Sequence, residues 1–472
     1  MDNQAVKQKT SLFCADKDFY AQFFSMMGFL VLQNVITYSV NVADNVMLGS
    51  FSQTSLSAAA AVNQIQYILQ QFTIMGLGEG MVILAGQYIG HNKLKETQKL
   101  YGMALAIGAA VGVLLTLALS IFPGQAVALF TKDPNIIEEG RSYIEIIRFT
   151  YLPFIISNLL LASLRSQKAV SIAFKTAIVT LVLNVCINYS LIFGHFGLPR
   201  MGIRGAAVGT ITARLVEFAI IIYYCMKGHF PFFKGHHDGG KSFLIEYDIK
   251  SMFVYDASIM KSYIKVSVPC VVAGVLFSAS VAIQTAIFGH ISSDALAASS
   301  AAGTLFQYMK MVPIGAASAS SVLISQSISR GVTPELKQKV HSLQLIFLCT
   351  GIIMGLMLLI ISGPVLSFYS LTEQAAVYVK QMILIQAVII VGTGYQMPCQ
   401  VGIIRAGGDA MFTLATDLIY SWVIVIPLGL IAAFVLHQPV GVVTWCLNID
   451  QLLKCVTNTI KVYRYTWIKK LV

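Results

Sequence analysis

Long apolar runs separated by short polar clusters organise the whole chain. Ala104–Phe122 and Leu345–Ile361 contain no charged residue, and a helix that crosses a bilayer needs about 20 mainly apolar residues. With Gly, Pro and charge clusters as punctuation, twelve such segments are predicted. They are 20–43, 56–88, 97–122, 136–162, 170–193, 203–226, 262–288, 294–328, 336–362, 374–402, 411–435 and 440–463. Some exceed the bilayer thickness and are expected to tilt or bend. Pro153, Pro269, Pro313, Pro398 and Pro427 fall inside them, which membrane helices tolerate when neighbours satisfy the freed carbonyl. The pattern predicts an all-α integral membrane protein.

Composition narrows the class. Of 472 residues 56% are apolar and 11% charged, less than half the charge of an ordinary soluble domain. A soluble enzyme, a disordered chain and a disulfide scaffold are disfavoured. The net charge of +11 reads as loop charge retained on the cytoplasmic side, not as a nucleic-acid footprint. On the twelve-segment frame 23 Lys and Arg fall on one side and four (Lys132, Arg141, Arg200 and Arg204) on the other. A multi-pass protein of the cell (inner) membrane with both termini cytoplasmic follows. The polar N-terminus lacks an apolar stretch ending in a cleavage site, so no removable signal peptide is expected. Eight cysteines lie in or beside apolar runs without metal-like spacing and read as reduced, small hydrophobes.

The longest polar interruption separates the sixth and seventh segments, and the halves on either side repeat at an offset of about 240 residues. Gly49 matches Gly289, Leu56 matches Leu296, and Arg165 matches Arg405. The expected organisation is an N-terminal six-helix lobe over 1–235, a cytoplasmic linker over 236–261 and a C-terminal six-helix lobe over 262–472. Six is even, so both lobes enter from the same side. That gives a parallel repeat with a central cavity, as in transporters built this way.

The residues that repeat also carry a family likeness. Asn41-Val-Ala-Asp44-Asn-Val-Met-Leu-Gly49, Gly86-Gln-Tyr-Ile-Gly90, Leu164-Arg-Ser-Gln167 and Gly202-Ile-Arg-Gly-Ala-Ala-Val-Gly-Thr210 resemble the first-half motifs of the multidrug and toxic compound extrusion (MATE) family. Ile283-Gln-Thr-Ala-Ile-Phe-Gly289, Ala295-Leu-Ala-Ala298 and Ile404-Arg-Ala-Gly-Gly-Asp409 resemble its second-half motifs. The likeness covers roughly residues 20–460. It implies a secondary active antiporter that exports organic compounds against H+ or Na+ by alternating access. In the DNA-damage-inducible branch, which the chain resembles most, a first-helix Asp works with an Asn, an Asp and a Thr of the fifth and sixth helices. Asp44, Asn184 and Thr210 stand at those places. Asn188 replaces the second acid, and Val40 replaces the family's Tyr four positions before Asp44. One carboxylate fewer weakens Na+ binding relative to a proton. The essential Glu that another branch carries in the seventh helix has no counterpart between Pro269 and Phe288.

Ionisable groups inside a membrane are functional candidates by default. Asp44, near the outer end of the first segment, has no basic residue within four positions and is the candidate proton or Na+ site. Asn184 and Asn188 share one helix face at i,i+4 and, with Thr210, complete the coupling set. Lys310 sits mid-segment in Gln307-Tyr-Met-Lys310, and its repeat partners are Gln70 and Gln71. Lys310, Gln307, Gln70, Gln71, Asn41, Glu79 and Gln284, the repeat equivalent of Asp44, are the substrate-cavity candidates. Glu145/Arg148, Arg214/Glu217 and Asp450/Lys454 read as structural pairs along one helix face. Asp417 reads as a cap or headgroup contact.

Several signals fall away. His236-His237-Asp238 lies in a Gly-flanked loop without further ligands and reads as solvated. Gly76-x-Gly78-x-Gly80 follows no strand and is not a nucleotide fingerprint. No phosphate-binding GxxxxGK[ST] occurs, so no ATP motor, cofactor or resident metal is expected. A membrane-embedded transferase would want an acid cluster or His/Asp pair near one interface, which is not seen. The reading is a monomeric exporter of cationic or amphipathic organic compounds, in contact with lipid and not with nucleic acid. The alternative is a flippase for a lipid-linked oligosaccharide or related lipid, which would want more cavity Arg.

Overall fold

The structure is a computed structural model that describes residues 16–227, 245, 247–366 and 372–471. The N-terminal residues to 15 with Cys14, and residues 236–244 and 246 of the linker with the His236-His237-Asp238 motif, lie outside the described residues. All named elements are helices, and one isolated bridge joins Gly408 to Ile468.

In chain order the long helices are α1 (Lys17–Phe51), α2 (Gln53–Gly90), α3 (Leu94–Ile121), α4 (Pro134–Ser166), α5 (Ser171–Phe193) and α6 (Ile203–Lys227). They continue as α7 (Ala257–Ile291), α8 (Ser293–Ser327), α9 (Pro334–Leu366), α10 (Glu373–Arg405) and α11 (Ala410–Val435). The last segment, α12, comes in two pieces, Val440–Asn448 and Asp450–Tyr463. Among the described residues ten helices are long and apolar enough to cross a membrane by length and composition. The two expected segments outside that set are helical but more polar or interrupted. α8 carries Gln307, Lys310 and a run of buried serines, Ser318, Ser320, Ser321 and Ser325. The last segment breaks at Ile449 and carries Asp450, Lys454 and Asn458 on its inner face.

The repeat is visible in local chemistry. Ser52 caps α2 by accepting from the Ser55 amide, and Ser292 caps α8 by accepting from the Ala295 amide. A Cβ on Gly49 would meet Leu56, and one on Gly289 would meet Leu296. Both caps lie one residue after a helix end, where orphan amides need an acceptor.

The chain divides into two compact units, residues 28–282 with 471–472 and residues 1–27 with 283–470. The division cuts α1 and α7. The first turns of α1 belong with the second half, where the Tyr20 hydroxyl donates to Ser342 Oγ (2.9 Å) and the Lys339 ammonium lies over the Phe19 ring. The first part of α7 belongs with the first half. There the Tyr263 hydroxyl donates to the Leu77 carbonyl (3.0 Å).

Gly76 and Gly80 explain that second contact. A Cβ at Gly76 would collide with Val271, and one at Gly80 with Ser267. The glycines let α7 lie directly on α2, over the wide π-type turns of Gln71–Gly78, a form that opens the backbone within an otherwise α-helical segment.

Two side-chain expectations need correction. Glu145 pairs with Arg141 (3.4 Å) and not with Arg148. A 3-10 turn over Arg148–Thr150 changes the helical phase, and the Arg148 guanidinium lies over the Phe149 ring instead. Asp417 is an ion-pair partner. It accepts from Lys454 Nζ (3.0 Å) and Gln400 Nε2 (3.0 Å) within its unit.

Candidate functional site

The site lies wholly within the 28–282 unit. α1 supplies Asn41, Asp44 and Asn45, and α2 supplies Asn63 and Gln66. α4 supplies Tyr143 and Tyr151, and α6 supplies Thr210 and Arg214. These residues line one cavity of about 50 Å³. That volume holds a few waters or an ion. Pockets for drug-sized molecules run to about 300–1,000 Å³.

α5 stands behind Asp44 and supplies the hydrogen bonds. Asn188 and Asn184 lie one turn apart on the same face, 0% and 2% exposed. Asn188 Nδ2 donates to Asp44 Oδ1 (2.7 Å) and to Asn184 Oδ1 (3.2 Å), and Asn184 Nδ2 donates to Thr210 Oγ1 (3.4 Å). The Tyr143 hydroxyl also bonds Thr210. As assigned from the hydrogen-bond network, two acceptor oxygens, Asp44 Oδ1 and Asn184 Oδ1, flank the Asn188 nitrogen.

Close packing of α5 on α6 makes this possible. A Cβ at Gly209 would run into Asn188 Oδ1, and one at Gly205 would press on the Leu191 backbone (2.7 Å). The glycines of Gly202-Ile-Arg-Gly-Ala-Ala-Val-Gly-Thr210 are therefore spacers for the asparagine ladder. Two buried atoms at the site, Asn188 Oδ1 and Tyr151 Oη, have no hydrogen-bond partner within the protein. Buried polar atoms are usually satisfied by protein, water or an ion.

The structure thus brings Asp44, Asn184, Asn188 and Thr210 into one network, with Asn41 on the wall of the same cavity. Other candidates lie elsewhere. Gln71 is at the start of the wide turns of α2, bonded to Tyr67, and Gln70 precedes it. Gln284, Gln307 and Lys310 belong to the 283–470 unit, where Lys310 is half-buried and feels the charges of Asp450 and Lys454. Glu79 lies outside the residues that line this cavity. Its carboxylate is buried and accepts from Arg165 Nη2 at 2.7 Å.

Sequence reasoning missed Tyr143, Tyr151, Asn63, Gln66 and Arg214. Asn63 and Gln66 carried a signal, since they lie i,i+3 in an alanine-rich helix and so share a face. Arg214 was hidden by its neighbour. Its Nη1 does donate to Glu217 (2.7 Å), but its guanidinium also lies over the Phe154 ring and lines the cavity with Asp44.

Comparison with known proteins follows the same outline. The MatE family model matches residues 30–190 and 269–431. The chain is 24% identical over 412 residues to the probable multidrug resistance protein YoeA of Bacillus subtilis (strain 168), covering 85% of this chain and 84% of that one. It is 29% identical over 196 residues to the probable multidrug resistance protein NorM of Thermotoga maritima, covering 41% and 42%. Among solved structures, the Vibrio cholerae MATE transporter VcmN in its bent form superposes with a TM-score of 0.81 at 16% identity, covering 95% and 97%. A MOP superfamily transporter from Pyrococcus furiosus superposes at 0.84 with 14% identity, covering 98% and 99%. These likenesses are of fold. With the family model matched in both halves, the chain belongs to the MatE family of membrane transporters.

Proposed function

We propose that this protein is a secondary active antiporter that exports organic compounds, cationic or amphipathic, in exchange for H+ or Na+. The observation that carries this reading is Asp44, a carboxylate inside a membrane helix, hydrogen-bonded by Asn188 on the wall of an ion-sized cavity. A carboxylate there is costly unless it does work, and it exchanges a proton or cation with the cavity. Relatives named as probable multidrug resistance proteins support the substrate class.

In this mechanism the ion binds Asp44 and changes what Asn188 donates to. The Asn188–Asn184–Thr210 ladder passes that change to α5 and α6. The ion biases alternating access only insofar as it binds the two states differently. Substrate occupies a separate, larger space, because the Asp44 cavity is too small for it. The protein works as a monomer in the cell membrane with both termini cytoplasmic.

The test is accumulation of a panel of cationic dyes in everted vesicles energised with a proton or a Na+ gradient. Gradient-dependent accumulation is expected with at least one of the two. No accumulation of any dye under either gradient would overturn the reading.

A further inference from the structure

Arg214 has a place that ion pairing alone does not explain. It is the twelfth residue of the 25-residue α6, at the middle of the segment where a permanent charge is most costly. A guanidinium keeps its charge throughout. Arg214 is anchored on one side by Glu217 Oε2 (2.7 Å) and by the Phe154 ring, 5.1 Å away. It nonetheless forms part of the wall of the cavity that Asp44 lines, within electrostatic reach of that carboxylate.

A sodium ion is a hard cation that needs several oxygen ligands and favours anionic ones. The cavity offers neutral oxygens from Asn41, Asn45, Asn63, Gln66 and Thr210, but little anionic charge. Asp44 is the one acidic residue on its wall. Oδ1 of Asp44 is already engaged by a donor, the Asn188 amide nitrogen at 2.7 Å, and that nitrogen is held in place by Asn184 Oδ1 at 3.2 Å. A fixed positive charge stands on the same wall. A proton needs only one lone pair of the carboxylate and no shell of oxygens.

We propose that Arg214, together with the donor face of Asn188, is the ion-specificity determinant of this transporter: it excludes alkali cations from the Asp44 cavity and leaves the proton as the coupling ion. This rests on the reading of Asp44 as the coupling acid. Glu217 holds the guanidinium in position without entering the cavity, and Tyr143 and Tyr151 supply hydroxyls to its wall but no charge.

The experiment uses the full-length protein in detergent at fixed pH and ionic strength, with Na+ exchanged for K+ or choline and thermal unfolding as the readout. Wild type should show no saturable Na+-specific rise in Tm. Arg214→Gln should gain one, half-saturating at a Na+ concentration at least about tenfold below the highest that leaves wild type unmoved, the scale of removing one unit charge from a partly buried site. The gain should vanish in Arg214→Gln/Asp44→Asn and be absent in Arg214→Lys, which keeps the charge. Because Arg214→Gln leaves Glu217 unpaired, Arg214→Gln/Glu217→Gln removes both partners and keeps the test usable if the single variant unfolds. A saturable, Asp44-dependent Na+ shift in wild type would overturn the proposal. So would a folded Arg214→Gln/Glu217→Gln variant that stays indifferent to Na+. Proton-driven dye export in the same variants separates the two claims. If Asp44→Asn exports as wild type does, the coupling reading itself falls. If Asp44→Asn is inactive and the Arg214 variants ignore Na+, only the specificity assignment falls.

Discussion

Asp44 in the 28–282 unit and the Asp417/Asp450 pair in the 283–470 unit pose the same problem, a carboxylate inside a membrane helix bundle, and answer it in opposite ways. Lys454 Nζ lies 3.0 Å from both Asp417 Oδ1 and Asp450 Oδ2. Gln400 Nε2 donates to Asp417 (3.0 Å) and Gln451 Nε2 donates to Asp450 (2.9 Å). Gln451 Oε1 in turn accepts from Gln396 Nε2 (2.7 Å) and the Thr393 hydroxyl (3.2 Å). The counter-charge is tethered to the chain. Asp44 instead has the Asn188 amide donor behind it and the cavity in front of it. A tethered ammonium makes a rigid structural core. An untethered position leaves room for an ion that comes and goes.

The largest expected difference is in stability. Lys454→Met leaves the buried Asp450 and the half-buried Asp417 without their cation and should cost about 3–5 kcal/mol. The triple variant Asp417→Asn/Asp450→Asn/Lys454→Met, with every charge removed, should recover most of that loss. Thermal unfolding in detergent reads both, and a Lys454→Met protein that melts like wild type would erase the contrast between the units.

A smaller effect probes the spacing of the ladder. Gly209→Ala places a methyl against Asn188 Oδ1. It should destabilise by about 1–3 kcal/mol, as overpacking does, and slow export. Gly303, in α8, has nothing within 4 Å of its missing Cβ. Gly303→Ala should be neutral, or stabilising by up to about 1 kcal/mol. Equal export by the two variants would mean that the Asn188 contact does not matter to function.

The smallest effect comes from a water-facing acid that serves as reference for both buried sites. Asp256, in the turn before α7, is held below the usual carboxylate range by the Ile259 amide and by Lys99. Its carboxyl is depressed in the folded state, so its contribution is present above the ordinary carboxylate pKa and is lost as pH falls below about 4. Asp256→Asn should therefore lower Tm slightly at neutral pH and not at all in strong acid. A pH-independent difference would show that the carboxylate charge is not what the helix start uses.

Much of this was legible in the sequence, for reasons that also mark where it stopped being so. Segment boundaries fell close to the helices because apolar runs and punctuation are local signals. The repeat could be read because Gly49/Gly289 and Leu56/Leu296 are paired packing positions that each half needs. Asp44, Asn184, Asn188 and Thr210 could be grouped because the resemblance named them together and i,i+4 spacing put the two asparagines on one face. Contacts between distant segments were not legible. Glu79 finds Arg165 86 positions away, and Asp417 finds Lys454 37 positions away. Arg214 shows a subtler failure, because a correct local pair with Glu217 concealed a second role across the bundle. Glu145 shows the reverse. Two arginines lay within one turn of it, and a 3-10 turn that no residue announces decided between them.

Asp44 is the proposed link between ion movement and export. The most direct measurement compares wild type and Asp44→Asn in proteoliposomes, recording dye binding and dye movement with and without an imposed proton gradient. Asn keeps the volume and the hydrogen-bonding capacity but cannot titrate. The account predicts wild-type dye affinity, an unchanged Tm and export at background level against a dye gradient. Export by Asp44→Asn at the wild-type rate would contradict it.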